Sequence, residues 1–286
     1  MSNIINTKCP ICYDDRKVLL SGRRLKIYKC NSCFHTFTIV PKENAKYNYS
    51  DDYYDETHKN WFGNPNYRFF KFIYREILKL LGNRQIQLLD VGCGRGDFLK
   101  YIAENNSKAK LFGIDLKYNQ HSRVQFIKGD FFKKQIEMKF NIICSFAVIE
   151  HIENPHLFIQ KLNKLLQPDG LLFIMTVNNN SLIYKIARFL DRIGMHTAHD
   201  RLYSFHHLQH YTNMSLKKSM EMNGFDVLLQ KNHNYSLKAV DIPAANFLIK
   251  KMYKFLVWVV FIASAPFGWG ILQTVLCRKR IVTTQS

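Results

Sequence analysis

The run Leu88-Leu89-Asp90-Val91-Gly92-Cys93-Gly94-Arg95-Gly96-Asp97-Phe98-Leu99 constrains the fold more than any other stretch of the chain. Ile86 to Val91 is short, aliphatic and charge-poor, as a buried parallel strand must be. Three glycines at alternate positions follow, and Asp97-Phe98-Leu99 open an amphipathic segment. A strand, a glycine turn and a helix start make the first unit of a nucleotide-binding α/β fold. There, glycine lets the backbone approach a ligand closely, and helix-end N–H groups meet its polar atoms.

The glycine spacing separates cofactors. A dinucleotide fingerprint reads G-x-G-x-x-G, whereas this chain has G-x-G-x-G after the acidic strand end Asp90. Lys110 to Asp115 reads as a second strand ending in an acid, 19 positions after Gly96. An acid at that distance is placed to accept both ribose hydroxyls of an adenosine. Val124 to Ile127 is a third strand with Gly129-Asp130-Phe131 at its end, and Phe140 to Ser145 a fourth, followed by Glu150 and His151. Asn154 and Pro155 suit the N-cap and first position of a helix with Leu157, Leu162, Leu165 and Leu166 on its apolar stripe. Gln167-Pro168-Asp169-Gly170 breaks it, and Leu171 to Val177 is a fifth strand.

This succession resembles the class I S-adenosylmethionine-dependent methyltransferases, in particular the branch of ubiquinone-biosynthesis O-methyltransferases. Glu150, His151, Pro155, Pro168 and Gly170 match that branch one by one, and the resemblance covers roughly Tyr67 to Gly224. It implies a Rossmann-like, doubly wound seven-stranded α/β sheet whose last strand is antiparallel. It also implies S-adenosylmethionine held by Asp90, Gly92, Cys93, Gly94, Gly96, Asp115, Leu116, Asp130, Phe131 and Ser145. The sulfonium methyl of that cofactor is already electrophilic, so transfer needs alignment and water exclusion. A base is required only where the acceptor must lose a proton. His151 is the first candidate and Glu150 the second, with a positioning role open for both. His206, His207 and His210 fall where the branch carries a His- and aromatic-rich loop facing the acceptor, which makes His210 a further candidate; His196 and His199 could line the same pocket.

A second pattern precedes this one. Cys9-Pro10-Ile11-Cys12 and Cys30-Asn31-Ser32-Cys33 are two C-x2-C knuckles separated by 17 residues. Such knuckles present four thiolates to one tetrahedral zinc, with a β-hairpin over Val18–Leu20 and Leu25–Tyr28 between them. Four thiolates close the coordination sphere, so the zinc is expected to be structural; an iron site stays open as an alternative. Cys93, Cys144 and Cys277 read as small buried residues. Metal-type use of cysteine points to a reducing compartment, and Met1 to Lys8 carries no apolar run, so a cytoplasmic location without a secretory leader is expected.

The expected organisation is a zinc ribbon over 1–40, a lid-like segment over 41–66 with Tyr47, Tyr49, Tyr53 and Tyr54, and a catalytic domain over 67–286. Arg68 to Leu81 has helical periodicity, and Phe225 to Asn232 and Gln273 to Arg280 read as the last two strands. Between them lies an apolar insert, 242–272. Phe255 to Cys277 has no charged residue, Lys250, Lys251 and Lys254 precede it, and Arg278, Lys279 and Arg280 follow. A membrane-spanning helix, a buried core helix and a helix lying on an anionic membrane surface are the three readings; the surface helix fits best, because Pro266, Gly268 and Gly270 interrupt the run.

A formal net charge of +19 calls for an anionic neighbourhood. Together these features predict a membrane-associated methyltransferase acting on an oxygen of a small-molecule, lipid-linked or glycan-type acceptor. Two alternatives are an RNA methyltransferase, since some RNA methyltransferases also carry zinc ribbons, and a non-catalytic cofactor-binding scaffold at a membrane.

Overall fold

The computed structural model describes residues 8–39, 59–117, 120–240 and 246–281. Tyr47, Tyr49, Tyr53 and Tyr54 of the lid-like segment lie outside the described residues. The chain opens with strands β1 (Lys17–Ser21), β2 (Lys26–Cys30) and β3 (Thr36–Ile39), an antiparallel ribbon with the expected hairpin. Helices α1 (Lys59–Gly63) and α2 (Tyr67–Leu81) lead to β4 (Gln87–Val91). Then come α3 (Asp97–Asn105), β5 (Lys110–Asp115), β6 (Val124–Lys128), β7 (Phe140–Phe146), α4 (Pro155–Leu165) and β8 (Leu166–Val177). The remainder holds α5 (Leu182–Arg192), α6 (Thr197–Leu202), β9 (Gln209–His210), α7 (Asn213–Met222), β10 (Phe225–His233), α8 (Phe247–Ser264) and β11 (Leu272–Lys279).

Seven strands form one sheet in the order β10-β11-β8-β7-β4-β5-β6, with only β11 antiparallel to its neighbours β8 and β10. This is the predicted doubly wound architecture. The strand order reverses beside β4, where consecutive strands diverge to either side, so the crevice for a ligand opens at the carboxyl ends of β4 and β7. Strand residues alternate between faces. Leu89 and Ile143 join the core under α4 and α7, whereas Leu88 and Ile142 join the core under α2 and α3. The helices start where their sequences direct: Asn154 accepts from Leu157 N (3.1 Å) with Pro155 at the first turn, and Asn66 accepts from Phe69 N (3.2 Å). On α2, Phe69, Ile73, Ile77 and Leu81 recur every fourth residue and are all buried.

The ribbon does not stand apart. Its edge strand β3 pairs with β9, Thr36 opposite His210 and Phe37 opposite Gln209, so the open edge is covered by a strand from the α/β sheet's own connection. Buried His35 donates from Nε2 to Gln209 Oε1 (2.9 Å), and its Nδ1 stands 3.2 Å from Ser215 Oγ. Burial holds the His35 ring down at about 4, hence neutral.

The insert differs from one expectation. Helix α8, capped by the Asn246 side chain accepting from Leu248 N (2.8 Å), is not a core helix: only Phe261 and Ser264 are buried. No helix among the described residues is long and apolar enough to cross a membrane.

Candidate active site

At the carboxyl ends of β4, β5 and β7 two contiguous cavities share Trp61, Phe62, Gly92, Gly94, Phe146, Tyr235 and Leu272. The larger has a volume of about 500 Å³, enough for a drug-sized ligand. The smaller, about 110 Å³, reaches Asp90 and Cys93.

The glycine turn forms the floor. Gly92 has φ +72°, and a Cβ there would lie 2.3 Å from Val148 Cγ2, so no side chain fits. Gly94 (φ +53°) donates its N–H to Asp115 Oδ2 (2.8 Å), tying the turn to the end of β5. The other Asp115 oxygen accepts from Lys117 N (3.0 Å), so this carboxylate is held rigidly at the cavity edge beside Leu116. Asp90 is buried, and its Oδ1 has no hydrogen-bond partner among the described residues. Burial first, and the neighbouring Asp115 second, push its carboxyl up to about 8. Asp130 accepts from Phe132 N (2.8 Å) at the end of β6 and lines the cavity with Phe131.

The opposite wall is the short turn Ile149–His151 after β7. Glu150 is buried and accepts from Thr176 Oγ1 (2.8 Å); burial pushes it up to about 7, against its own backbone hydrogen bond and that from Thr176. His151 Nδ1 is 2.8 Å from the His206 carbonyl oxygen, an acceptor only, so this nitrogen carries the proton. Glu150, His151 and His207 bring their polar atoms within 4.8 Å of one another.

Ten expected residues therefore line the cavities: Asp90, Gly92, Cys93, Gly94, Asp115, Leu116, Asp130, Phe131, Glu150 and His151. Three do not. Gly96 (φ +72°) sits at the N-cap of α3 with Phe126 2.7 Å from where its Cβ would be, so its reason is conformational. Ser145 is buried in β7 and donates to Val91 O (3.0 Å). His210 belongs to β9, fully buried with Nε2 2.8 Å from Thr38 Oγ1, because the ribbon's edge claims it. His196 likewise turns to Asp191 (2.6 Å), and His199 to Asp200 (3.6 Å) and Asp191 (4.0 Å), and neither lines the cavity. Residues that pattern reading missed are Trp61 and Phe62 on α1, Tyr184 on α5, and Tyr235 after β10. Only the aromatic pair at the end of the 41–66 segment offered a signal, and a weak one.

Residues 66–230 match the family described as Methyltransferase domain, which is more than half of the chain. The chain belongs to that methyltransferase family. A mitochondrial ubiquinone biosynthesis O-methyltransferase of Dictyostelium discoideum is 27% identical over 121 residues, 35% of this chain and 37% of that protein. The ubiquinone biosynthesis O-methyltransferase of Glaesserella parasuis is 34% identical over 117 residues, 35% of this chain and 49% of that one. The chain thus matches less than half the length of either relative. Among solved structures, the plantazolicin methyltransferase BpumL in complex with a monoazolic desmethylPZN analog and SAH superposes with a TM-score of 0.52 at 16% identity, over 80% of this chain and 88% of that one. At that identity the likeness concerns the fold.

A second cluster lies in the ribbon, N-terminal to the matched domain. Cys9, Cys12, Cys30 and Cys33 bring their sulfurs within 4.8 Å of one another, with Cys9–Cys33 and Cys12–Cys30 each at 3.5 Å. Four sulfurs about 2.3 Å from one ion stand roughly 3.8 Å apart, so the donor set fits a tetrahedral zinc. The ribbon packs on the domain through this cluster: Cys9, Ile11, Cys30 and Cys33 share a core with Phe158, Leu162 and Met220 of α4 and α7, and His156 Nε2 donates to Ile11 O (2.8 Å).

Proposed function

We propose that this protein transfers the methyl group of S-adenosylmethionine to an oxygen of a small-molecule acceptor. One observation carries the reading: two carboxylates at the ends of adjacent strands, Asp90 in the smaller and Asp115 in the larger of two contiguous cavities, and a histidine of fixed tautomer, His151, in the larger, surround a glycine turn that admits no side chain. The family membership and the O-methyltransferase relatives support it.

The unpartnered oxygen of Asp90 suits the cofactor's amino group, a cation that supplies what this buried carboxylate lacks. Asp115, held at both oxygens by backbone N–H groups, accepts the ribose hydroxyls. Leu116 and Phe131, which line the cavity, would flank the adenine, and Asp130 at the same strand-end rim would take its polar edge. When bound, the cofactor supplies an electrophilic methyl, so the chain's task is alignment and exclusion of water, to which Trp61, Phe62 and Tyr235 contribute. His151 holds its Nδ1 proton on the His206 carbonyl and takes the acceptor's hydroxyl proton on Nε2. Glu150, neutral or ionised according to pH, holds the turn through Thr176 and stabilises the imidazolium that forms. The four cysteines hold a structural zinc whose closed sphere takes no part in transfer. Reduced thiolates of this kind favour action in the cytoplasm.

Incubation of the protein with methyl-labelled cofactor and total cell extract, followed by separation of lipid, small-molecule and nucleic-acid fractions, tests the reading. Label in the lipid or small-molecule fraction, absent with Asp115→Ala, is the expected result. Label confined to RNA would replace the acceptor class, and cofactor binding without any transfer would make the protein a scaffold.

A further inference from the structure

We infer that α8 is a docking element for an anionic lipid surface. The inference stands on the geometry of this helix and does not depend on methyl transfer. Along α8 the half-buried and buried positions are Lys250, Lys254, Val257, Val260, Phe261 and Ser264; all but Val260 are spaced by four, three, four and three residues and mark the side turned toward the protein, with Val260 at its edge. On the far side lie Leu248, Met252, Phe255, Leu256, Val259 and Ile262, all apolar and 42–73% exposed. Eighteen residues at 1.5 Å per residue make this face about 27 Å long. An apolar strip of that length on water is rare unless something covers it.

Charge decides what covers it. Lys250, Lys251 and Lys254 cluster in the first half of the helix, and no carboxylate among the described residues pairs with them. The sequence contains no Asp or Glu from Ile242 to Ser286. Lysine is depleted from protein–protein interfaces, whereas an apolar helical face with basic residues in the same turns is what an anionic bilayer selects; Lys251 edges the face, and Lys250 and Lys254 stand on the protein side of those turns. Aromatic residues with polar tips, Tyr253, Trp258 and, on the following turn, Trp269, are exposed at the edges of the face, and Phe267 extends it. The helix is too short and too basic to span, which leaves it lying in the headgroup layer.

The same helix reaches the cavity. The Phe261 ring packs edge-on against Tyr235 (5.6 Å), whose own ring lines both cavities, and Asn234 Nδ2 donates to Phe261 O (3.0 Å) and Ser264 Oγ (2.9 Å). Docking through α8 therefore sets one wall of the cavity at the bilayer.

Co-sedimentation of the full chain with vesicles of phosphatidylcholine, alone and with increasing phosphatidylglycerol, tests this. Binding is expected to rise with phosphatidylglycerol and to fall roughly fivefold for each lysine removed in Lys250→Gln, Lys251→Gln and Lys254→Gln. The outward pair Phe255→Ser and Val259→Ser, exposed and so harmless to the fold, is expected to cost at least about tenfold. Equal thermal unfolding of all variants separates lost binding from lost folding. Absence of binding at every composition, equal binding to neutral and anionic vesicles, or a vesicle-free dimer dispersed by Phe255→Ser would each overturn the inference.

Discussion

His151 donates its Nδ1 proton to the backbone oxygen of His206 across 2.8 Å, and this bond decides which ring nitrogen can act as a base. The neutral ring then carries its lone pair on Nε2, and Glu150 and His207 each bring a polar atom within 4.8 Å of one on His151. His151→Gln is expected to lower kcat by roughly 10²- to 10³-fold on an alcohol or phenol acceptor, with cofactor affinity unchanged. Steady-state kinetics and a cofactor titration on the same variant check both halves.

Asp90 and Glu150 make the stability of the cofactor-free protein fall with pH. Their folded pKa values, about 8 and about 7, stand above the unfolded values near 4, so the folded state binds more protons between those limits. Stability is then full below pH 4 as far as these two groups are concerned, and is lost as pH rises toward 8. The slope is up to about 1.4 kcal/mol per pH unit for each group. Buried, neutral His35, His210 and His233, held down at about 4, 3 and 4, oppose this trend below about pH 6.5, so the declining Tm should show in thermal unfolding from pH 7 to 9, and Asp90→Asn should flatten it.

The cofactor should reverse part of that effect. A cation beside Asp90 favours its ionised form, so affinity should increase from pH 6 to 8 as the carboxyl gives up its proton. Asp90→Asn is expected to weaken binding roughly 10- to 100-fold and to remove this pH dependence. Calorimetric titration at several pH values reads both.

Much of the fold was legible in the sequence because the strands of the parallel sheet are apolar runs, three of which, β4, β5 and β6, are closed by glycine or an acid, and strand ends are where such a sheet binds ligands. Asp115 could be placed by its spacing from the glycine turn, and Asp90 and Gly92 by the motif that resembles the methyltransferase family. Trp61 and Tyr235 could not: they lie 174 positions apart, and only the packing of their rings, at 5.2 Å, brings them to one wall. His210 shows the opposite case. Its neighbours in sequence suggested the acceptor loop, but backbone pairing with Thr36 of the ribbon decided its place, a long-range contact that periodicity does not encode.

Gly92→Ala combines a left-handed φ with a Cβ 2.3 Å from Val148 Cγ2. Strain of about 1–2 kcal/mol is expected from the backbone alone, and the clash adds to it. Val148→Ala should restore the second part and not the first, as denaturant unfolding of the single and double variants can show.

Zinc removal should loosen more than the ribbon. The four-cysteine cluster shares its core with α4 and α7, so Cys12→Ser is expected to lower Tm and to expose the loop ending at His210 to amide exchange. Metal analysis should give one zinc per chain in the native protein.

The most direct measurement is a calorimetric titration of S-adenosylhomocysteine into the native protein and into Asp115→Ala. One-to-one binding in the native protein, lost or weakened at least about tenfold in the variant, is the predicted result. Absence of binding by the native protein, or equal binding by the variant, would contradict a cofactor seated on this glycine turn.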